Sequence, residues 1–144
     1  MNTIVVGVDG SKGSLAALRF ALDEAHVRGS DVKAVSAWHI PTGVYQVGYV
    51  PGPIEKKDYQ EPAKAMLVRS LEEVAGNVDG VTVTPVVREG QAADVLTDEA
   101  RGADLLVVGS RGLGGFRGLL LGSVSQQCAH HASCPVAIVR TPEK

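Results

Sequence analysis

The chain has 144 residues, with 14 Lys and Arg set against 16 Asp and Glu for a formal net charge of −2. That length suits a single domain able to bury its own core, and the scattered basic residues argue against nucleic acid as a partner. No apolar run approaches the roughly 20 residues of a membrane span, and Met1-Asn2-Thr3 leads into a strand pattern with no basic n-region or cleavage site, so a cytoplasmic location is expected.

Thr3 to Val8 (TIVVGV) is a continuous apolar, β-branched run, the pattern of a strand covered on both faces. After Asp9-Gly10, either Ser11 or Ser14 can cap a helix in which Leu15, Leu18, Leu22 and Ala25 recur at helical spacing, and Gly29 supplies its stop. A second strand is expected from about Val32 to Trp38. The segment from His39 to Tyr59 holds Pro41, Pro51 and Pro53 with Gly43, Gly48 and Gly52 and no period, and reads as a long loop. Ala63, Met66, Leu67, Ser70, Leu71 and Val74 form one stripe, which predicts a helix from Pro62 to Ala75.

Val81, Val83 and Val87 alternate with polar residues in a third strand, where Pro85 requires an unpaired side or a bulge. A helix from about Ala92 to Arg101 leads to the strand Leu105 to Val108, a glycine-rich loop, a Ser-capped helix running from Val124, and a last strand Val136 to Val139. Strand and helix in alternation imply an α/β fold. We expect a single-domain open twisted sheet of five parallel strands with helices on both faces. Ligands of such sheets bind beyond the carboxyl ends of the strands, near the switch point in strand order, so Val8-Asp9-Gly10 and Val108-Gly109-Ser110 are the ends that matter.

Cys128 and Cys134 lack C-x-x-C spacing and are too few for structural zinc, so they read as small core residues. His130 and His131 are adjacent near a helix end, where they point apart and complement the dipole, so no metal site is expected. The stretch Leu105 to Ser125 is the informative one. Gly109, Gly112, Gly114, Gly115 and Gly118 allow φ > 0 and close approach, so that main-chain N–H groups can converge on an anion. The helix entered through Gly122-Ser123 would add its free amides and dipole.

Named phosphate motifs do not fit this stretch. A Walker loop needs a lysine, and the segment has none. A dinucleotide fingerprint begun at Gly112 and Gly114 requires glycine where Arg117 stands, and it belongs after the first strand. G-x-S-x-G is absent as well.

What remains is Gly109-x-x-Gly112, nine residues, then Gly122-Ser123. With IVVGVDGS at the start, VSAWH at the end of strand two, Gly90 after strand three and the closing CPVAIVR, the chain resembles the ATP-binding branch of the universal stress protein family over nearly its whole length. The resemblance implies that Gly109, Gly112 and Gly122 cradle the phosphates of ATP through backbone N–H groups. It implies that Ser123, Val124 and Ser125 add a hydroxyl and helix amides, and that Asp9 faces the ribose or adenine side and helps place Mg2+. Gly7, Ala37 and Val108 would border the adenine, with Ala37 smaller than the aliphatic residue common there. Asp9 before Gly10 is also an ordinary turn residue. Arg111 and Arg117 either shield phosphate charge or are solvated loop arginines.

Three functions stay open at this level: a regulatory ATP-binding module of the stress response, a slow ATPase, and an interaction scaffold in which nucleotide is incidental. Fast phosphoryl transfer is not expected, since no Walker lysine or water-orienting Glu or Gln is evident. The resemblance further implies a homodimer through the last strand, Val136 to Val139, an apolar edge that invites pairing. The competing account is that Thr141 to Lys144 cover that edge.

Overall fold

The computed structural model describes residues 2–40, 55–74, 80–112 and 121–141. In chain order the elements are β1 (Thr3–Gly7), α1 (Lys12–Arg28), β2 (Asp31–Trp38), α2 (Lys57–Val74), β3 (Val83–Glu89), α3 (Ala92–Glu99), β4 (Leu105–Gly109), α4 (Ser123–His131) and β5 (Val136–Val139). The strands form one parallel sheet in the order β3-β2-β1-β4-β5. This is the α/β architecture expected from the alternation of apolar runs and helical stripes. β1 and β4 are neighbours, with Ile4 opposite Leu105 and Val6 opposite Val107.

Because successive side chains on a strand face opposite ways, each strand divides its apolar residues between two cores. Ile4, Val6, Val8, Leu105 and Val107 pack with Leu18, Ala21, Leu22 and Ala25 of α1 and with Leu67 and Val74 of α2. Val5, Val35, Leu106 and Val108 pack on the other face with Ala93 and Leu96 of α3 and Cys128 of α4. The helices thus cover both faces, which explains why β1 and β4 read as unbroken apolar runs.

Ser11 is the N-cap of α1, its hydroxyl accepting from the Ser14 amide, and Gly29 ends the helix in the left-handed conformation at φ 68°. The choice between two candidate caps therefore falls to Ser11. α2 begins at Lys57, within the segment read as loop, and Pro62 lies in its second turn. The apolar stripe that marks the helix from Pro62 does not extend into this first turn, which is closed by the Tyr59 and Gln60 amides donating to the Lys56 carbonyl. Residues 41–54 of the expected loop, and Ala75 at the expected helix end, lie outside the described residues.

β3 is an edge strand, and Pro85 stands opposite Ala34. Thr82 accepts from the Val32 amide, so the alternation of the ladder turns the Pro85 nitrogen to the open side, where a missing donor costs nothing. α3 stops at Glu99, two residues short of expectation. β5 occupies the other edge, all four of its residues half-buried. His130 and His131 are exposed at the end of α4. Cys128 is fully buried and Cys134 half-buried, both unpaired.

Candidate functional site

Strand order reverses between β1 and β4, since β2 and β3 lie to one side of β1 and β4 and β5 to the other. The loops leaving the carboxyl ends of those two strands diverge there, and a crevice results. It holds a cavity of about 390 Å3, within the range of small-ligand sites. All ten residues singled out from the sequence line it: Gly7, Asp9, Ala37, Val108, Gly109, Gly112, Gly122, Ser123, Val124 and Ser125. Residues a hundred positions apart in the chain are thereby brought to one place. Gly114, Gly115, Gly118 and Arg117 lie outside the described residues.

One wall is apolar. Gly7, Val35, Ala37, Leu96 and Val108 reach it from β1, β2, α3 and β4. A Cβ at Gly7 would stand 2.8 Å from Leu96 Cδ1, so this glycine lets Leu96 settle against the sheet. Val35 and Leu96 were not picked out from the sequence. Val35 was discoverable as the i−2 partner of Ala37 on one strand face, whereas Leu96 looked like any core leucine.

The polar part of the lining comes from two helix starts, those of α1 and α4. Asp9 Oδ1 accepts from the Ser11 amide at 2.9 Å and from the Ser11 hydroxyl. The Asp9 amide donates to Ser14 Oγ at 3.2 Å, and the Ser14 hydroxyl donates to the Ser11 carbonyl at 3.1 Å. These bonds fix the carboxylate at the mouth of β1. Asp9 Oδ2 is directed at the second loop: a Cβ on Gly112 would stand 2.7 Å from it.

The glycines of the second loop act by lacking a side chain rather than by handedness. None of Gly109, Gly112 and Gly122 has a positive φ, and Gly122 sits at φ −73°. A Cβ on Gly109 would stand 2.8 Å from the carbonyl carbon and oxygen of Gly13 in α1, and one on Gly13 would stand 2.5 Å from the Arg111 carbonyl oxygen. Two backbones touch there. Of the two freedoms expected of Gly109 and Gly112, φ > 0 is not used and close approach is.

α4 starts one residue earlier than expected. Gly122 is its N-cap, Ser123 is its first helical residue, and no side chain caps it among the described residues. The Gly122 amide donates to the Ser110 carbonyl at 2.6 Å. Ser125 is buried, and its hydroxyl lies 3.1 Å from the same carbonyl and 2.9 Å from that of Gly122. The Ser110 carbonyl thus ties the end of β4 to the start of α4. Its grip commits the Gly122 amide and the Ser125 hydroxyl, and the donors α4 presents to the cavity are the first-turn amides of Ser123, Val124 and Ser125 with the Ser123 hydroxyl. Arg111, the loop arginine among the described residues, also lines the cavity.

Among the described residues Asp9 is the one acidic side chain lining this cavity, and no group of three or more His, Cys, Asp or Glu able to hold a metal occurs among them. A cation here would be shared between one carboxylate and the oxygens of a ligand, the manner in which Mg2+ is commonly held. No helix among the described residues is long and apolar enough to cross a membrane.

Fold and crevice together define a parallel α/β protein with a binding cavity at its topological switch point. The universal stress protein family model matches residues 1–140, and the chain belongs to that family. A universal stress protein of Mycolicibacterium smegmatis is 40% identical over 139 residues, which cover 95% of this chain and 45% of the relative. The chain therefore spans about half the length of the curated relatives it matches. Among solved structures, a universal stress protein in complex with cAMP is 31% identical, with 98% of each chain covered and a TM-score of 0.71. The universal stress protein from Archaeoglobus fulgidus in complex with dAMP is 25% identical, with 96% of this chain and 97% of the other covered and a TM-score of 0.67.

Proposed function

We propose that the chain is an ATP-binding universal stress protein, a nucleotide-binding regulatory module of the stress response with at most slow hydrolysis. The observation that carries this reading is that one cavity is lined both by the apolar Gly7, Val35, Ala37, Leu96 and Val108 and by the first turn of α4 at Ser123, Val124 and Ser125. The base lies in the slot formed by Gly7, Val35, Ala37, Leu96 and Val108. Asp9 meets the ribose, and the phosphates run past Gly109 and Gly112 to the first turn of α4; Gly122, expected to offer its amide, admits them only by lacking a side chain, since that amide is held by the Ser110 carbonyl. There Ser123, Val124 and Ser125 offer amides, and the helix dipole favours the anion.

The two relatives solved with cAMP and with dAMP support an adenine nucleotide as the ligand class. The donor set fits phosphate. Mg2+ suits the site as a companion of the nucleotide, held by phosphate oxygens, water and Asp9. Bound there, it would offset the repulsion between the carboxylate and the polyphosphate. No Glu or Gln able to orient an attacking water lines the cavity among the described residues, so fast phosphoryl transfer is not expected.

A second reading, dimerisation as the central role with nucleotide incidental, is favoured by the placement of β5. Val136, Ala137, Ile138 and Val139 form a short apolar strand at the sheet edge, and pairing with a second copy about a two-fold axis would cover it. Residues 142–144 of the competing edge cover lie outside the described residues. Light scattering at micromolar concentration that returns a monomer would remove this reading.

The main test releases and chromatographs any nucleotide that copurifies, then follows thermal unfolding with ATP, cAMP and dAMP, each with and without Mg2+. Saturation at a hundredfold excess over Kd stabilises a native protein by about 2.7 kcal/mol, an unmistakable shift. No copurified nucleotide together with no shift at millimolar Mg-ATP would refute the proposal. Turnover measured beside Asp9→Ala separates a binder from a slow ATPase.

A further inference from the structure

Met66 lies on α2, far from the loops that line the cavity in sequence, yet its side chain supports one of them. A Cβ on Gly10 would stand 3.0 Å from Met66 Cγ and 3.4 Å from Sδ, so the thioether is packed directly under that glycine. Gly10 holds φ 84°, a conformation only glycine adopts cheaply. Its neighbours Asp9 and Ser11 both line the cavity. Met66 is half-buried against the α1–α2 core. Its sulfur is within 3.6 Å of the buried Ser70 hydroxyl, which donates to it.

We infer that Met66 is a site of oxidation by hydroperoxides, and that its sulfoxide displaces the Asp9-Gly10-Ser11 turn and loosens the cavity. The step balances with hydrogen peroxide alone. A sulfur lone pair attacks one peroxide oxygen, the O–O bond breaks, the sulfur loses two electrons and keeps the oxygen, and the other oxygen leaves as water. An apolar, flexible thioether becomes a polar, chiral group. The new oxygen needs both space and a donor. Gly10 leaves no space on one side, and Ser70 offers a donor on the other, so the side chain turns toward Ser70 and withdraws its support from the turn. Met66 is half-buried, whereas Cys128 is fully buried and burial pushes the half-buried Cys134 thiol up, away from the reactive thiolate.

The consequence for nucleotide affinity rests on the proposed function, while the displacement of the turn does not. The test treats the whole chain with hydrogen peroxide, locates added oxygen by peptide mass, and follows the Gly10 and Ser11 amides by NMR without nucleotide. Oxidation at Met66 with movement of both amides is expected, and affinity for Mg-ATP should fall about tenfold, a difference of about 1.4 kcal/mol. Met66→Leu should keep the untreated affinity and ignore peroxide, and Met66→Gln should move the same amides without it. Unmoved amides in oxidised protein, or Met66 left intact while Met1 oxidises, would overturn the inference. So would a peroxide effect that persists in Met66→Leu, since that variant retains both cysteines. Untreated protein without affinity for any nucleotide would reject the functional reading, and the amide shifts would still decide this one.

Discussion

Gly109→Ala tests whether the first glycine of the loop serves packing or ligand. Its Cβ would stand 2.8 Å from the carbonyl carbon and oxygen of Gly13 and 3.3 Å from the Gly13 Cα, against ordinary carbon contacts of about 3.5–4.0 Å. All three atoms are backbone, so no rotamer change relieves the clash. The first turn of α1 must retreat by on the order of 1 Å and drag on the helix that buries Leu18, Ala21 and Leu22. Overpacking of this kind costs about 1–3 kcal/mol, and at this chain length each kcal/mol lowers Tm by about 3–4 °C. Calorimetry should therefore show a fall of about 3–12 °C in the absence of nucleotide. Gly112→Ala meets instead Asp9 Oδ2, the carboxylate oxygen not held by Ser11, which can give by turning about the bonded Oδ1, so its stability should change by under about 1 kcal/mol while affinity for Mg-ATP drops about tenfold or more. A Tm for Gly109→Ala within about 1 °C of wild type, or the reverse ranking of the two variants in stability, would refute the reasoning.

Ser125→Ala removes the buried hydroxyl that reaches the Ser110 and Gly122 carbonyls. Urea unfolding should show a loss of about 1–2 kcal/mol, because the strand-to-helix tie is left incomplete. Burial pushes the Cys128 thiol up to about 11. At pH 8 about one molecule in a thousand is then thiolate, so in Cys134→Ser protein iodoacetamide should label Cys128 only on unfolding. Because the folded state holds that proton more tightly, its contribution is complete below the ordinary thiol value and is lost as pH rises toward about 11. Tm should fall over that interval, and Cys128→Ala should flatten the fall. Arg88 donates to Asp98 at 2.7 Å and to Glu99 at 3.1 Å, and it holds the Asp98 carboxyl below its usual value. That support is present above the ordinary carboxylate range and lost as pH drops through it, so the Tm values of wild type and Arg88→Gln should converge in acid.

Much of the fold was legible because the sequence obeys one period at a time. The stripe through Met66, Leu67, Ser70, Leu71 and Val74 places buried or half-buried residues where a helix demands, and the β-branched runs of β1 and β4 match strands covered on both faces. Boundaries were less legible. Pro62 marked a helix start in the sequence although α2 begins at Lys57, since nothing local reveals that one turn precedes the proline. The residue types point to a serine cap where Gly122 serves, because the tie between Ser110 and Gly122 joins residues twelve apart and has no residue-type signature. In the crevice, spacing singled out the loop residues, but the floor contributed by Val35 and Leu96 depends on how four elements converge. The purpose of Gly109 was hidden for the same reason, since its crowding comes from Gly13 on another element.

The pairing of β1 with β4 has a consequence for how the chain matures. Asp9 and Gly109 are a hundred positions apart, and drawing such distant segments together costs about 4 kcal/mol of loop-closure entropy before any contact offsets it. Hairpin-like shortcuts do not exist in a parallel sheet, so this closure belongs among the slow steps of folding. During synthesis the amino-terminal half has no crevice to offer until β4 emerges and docks beside β1. Any ligand of this cavity is therefore a reporter of chains in which β1 and β4 have met, blind to those in which they have not, and its capture would hold the domain on the native side of that closure.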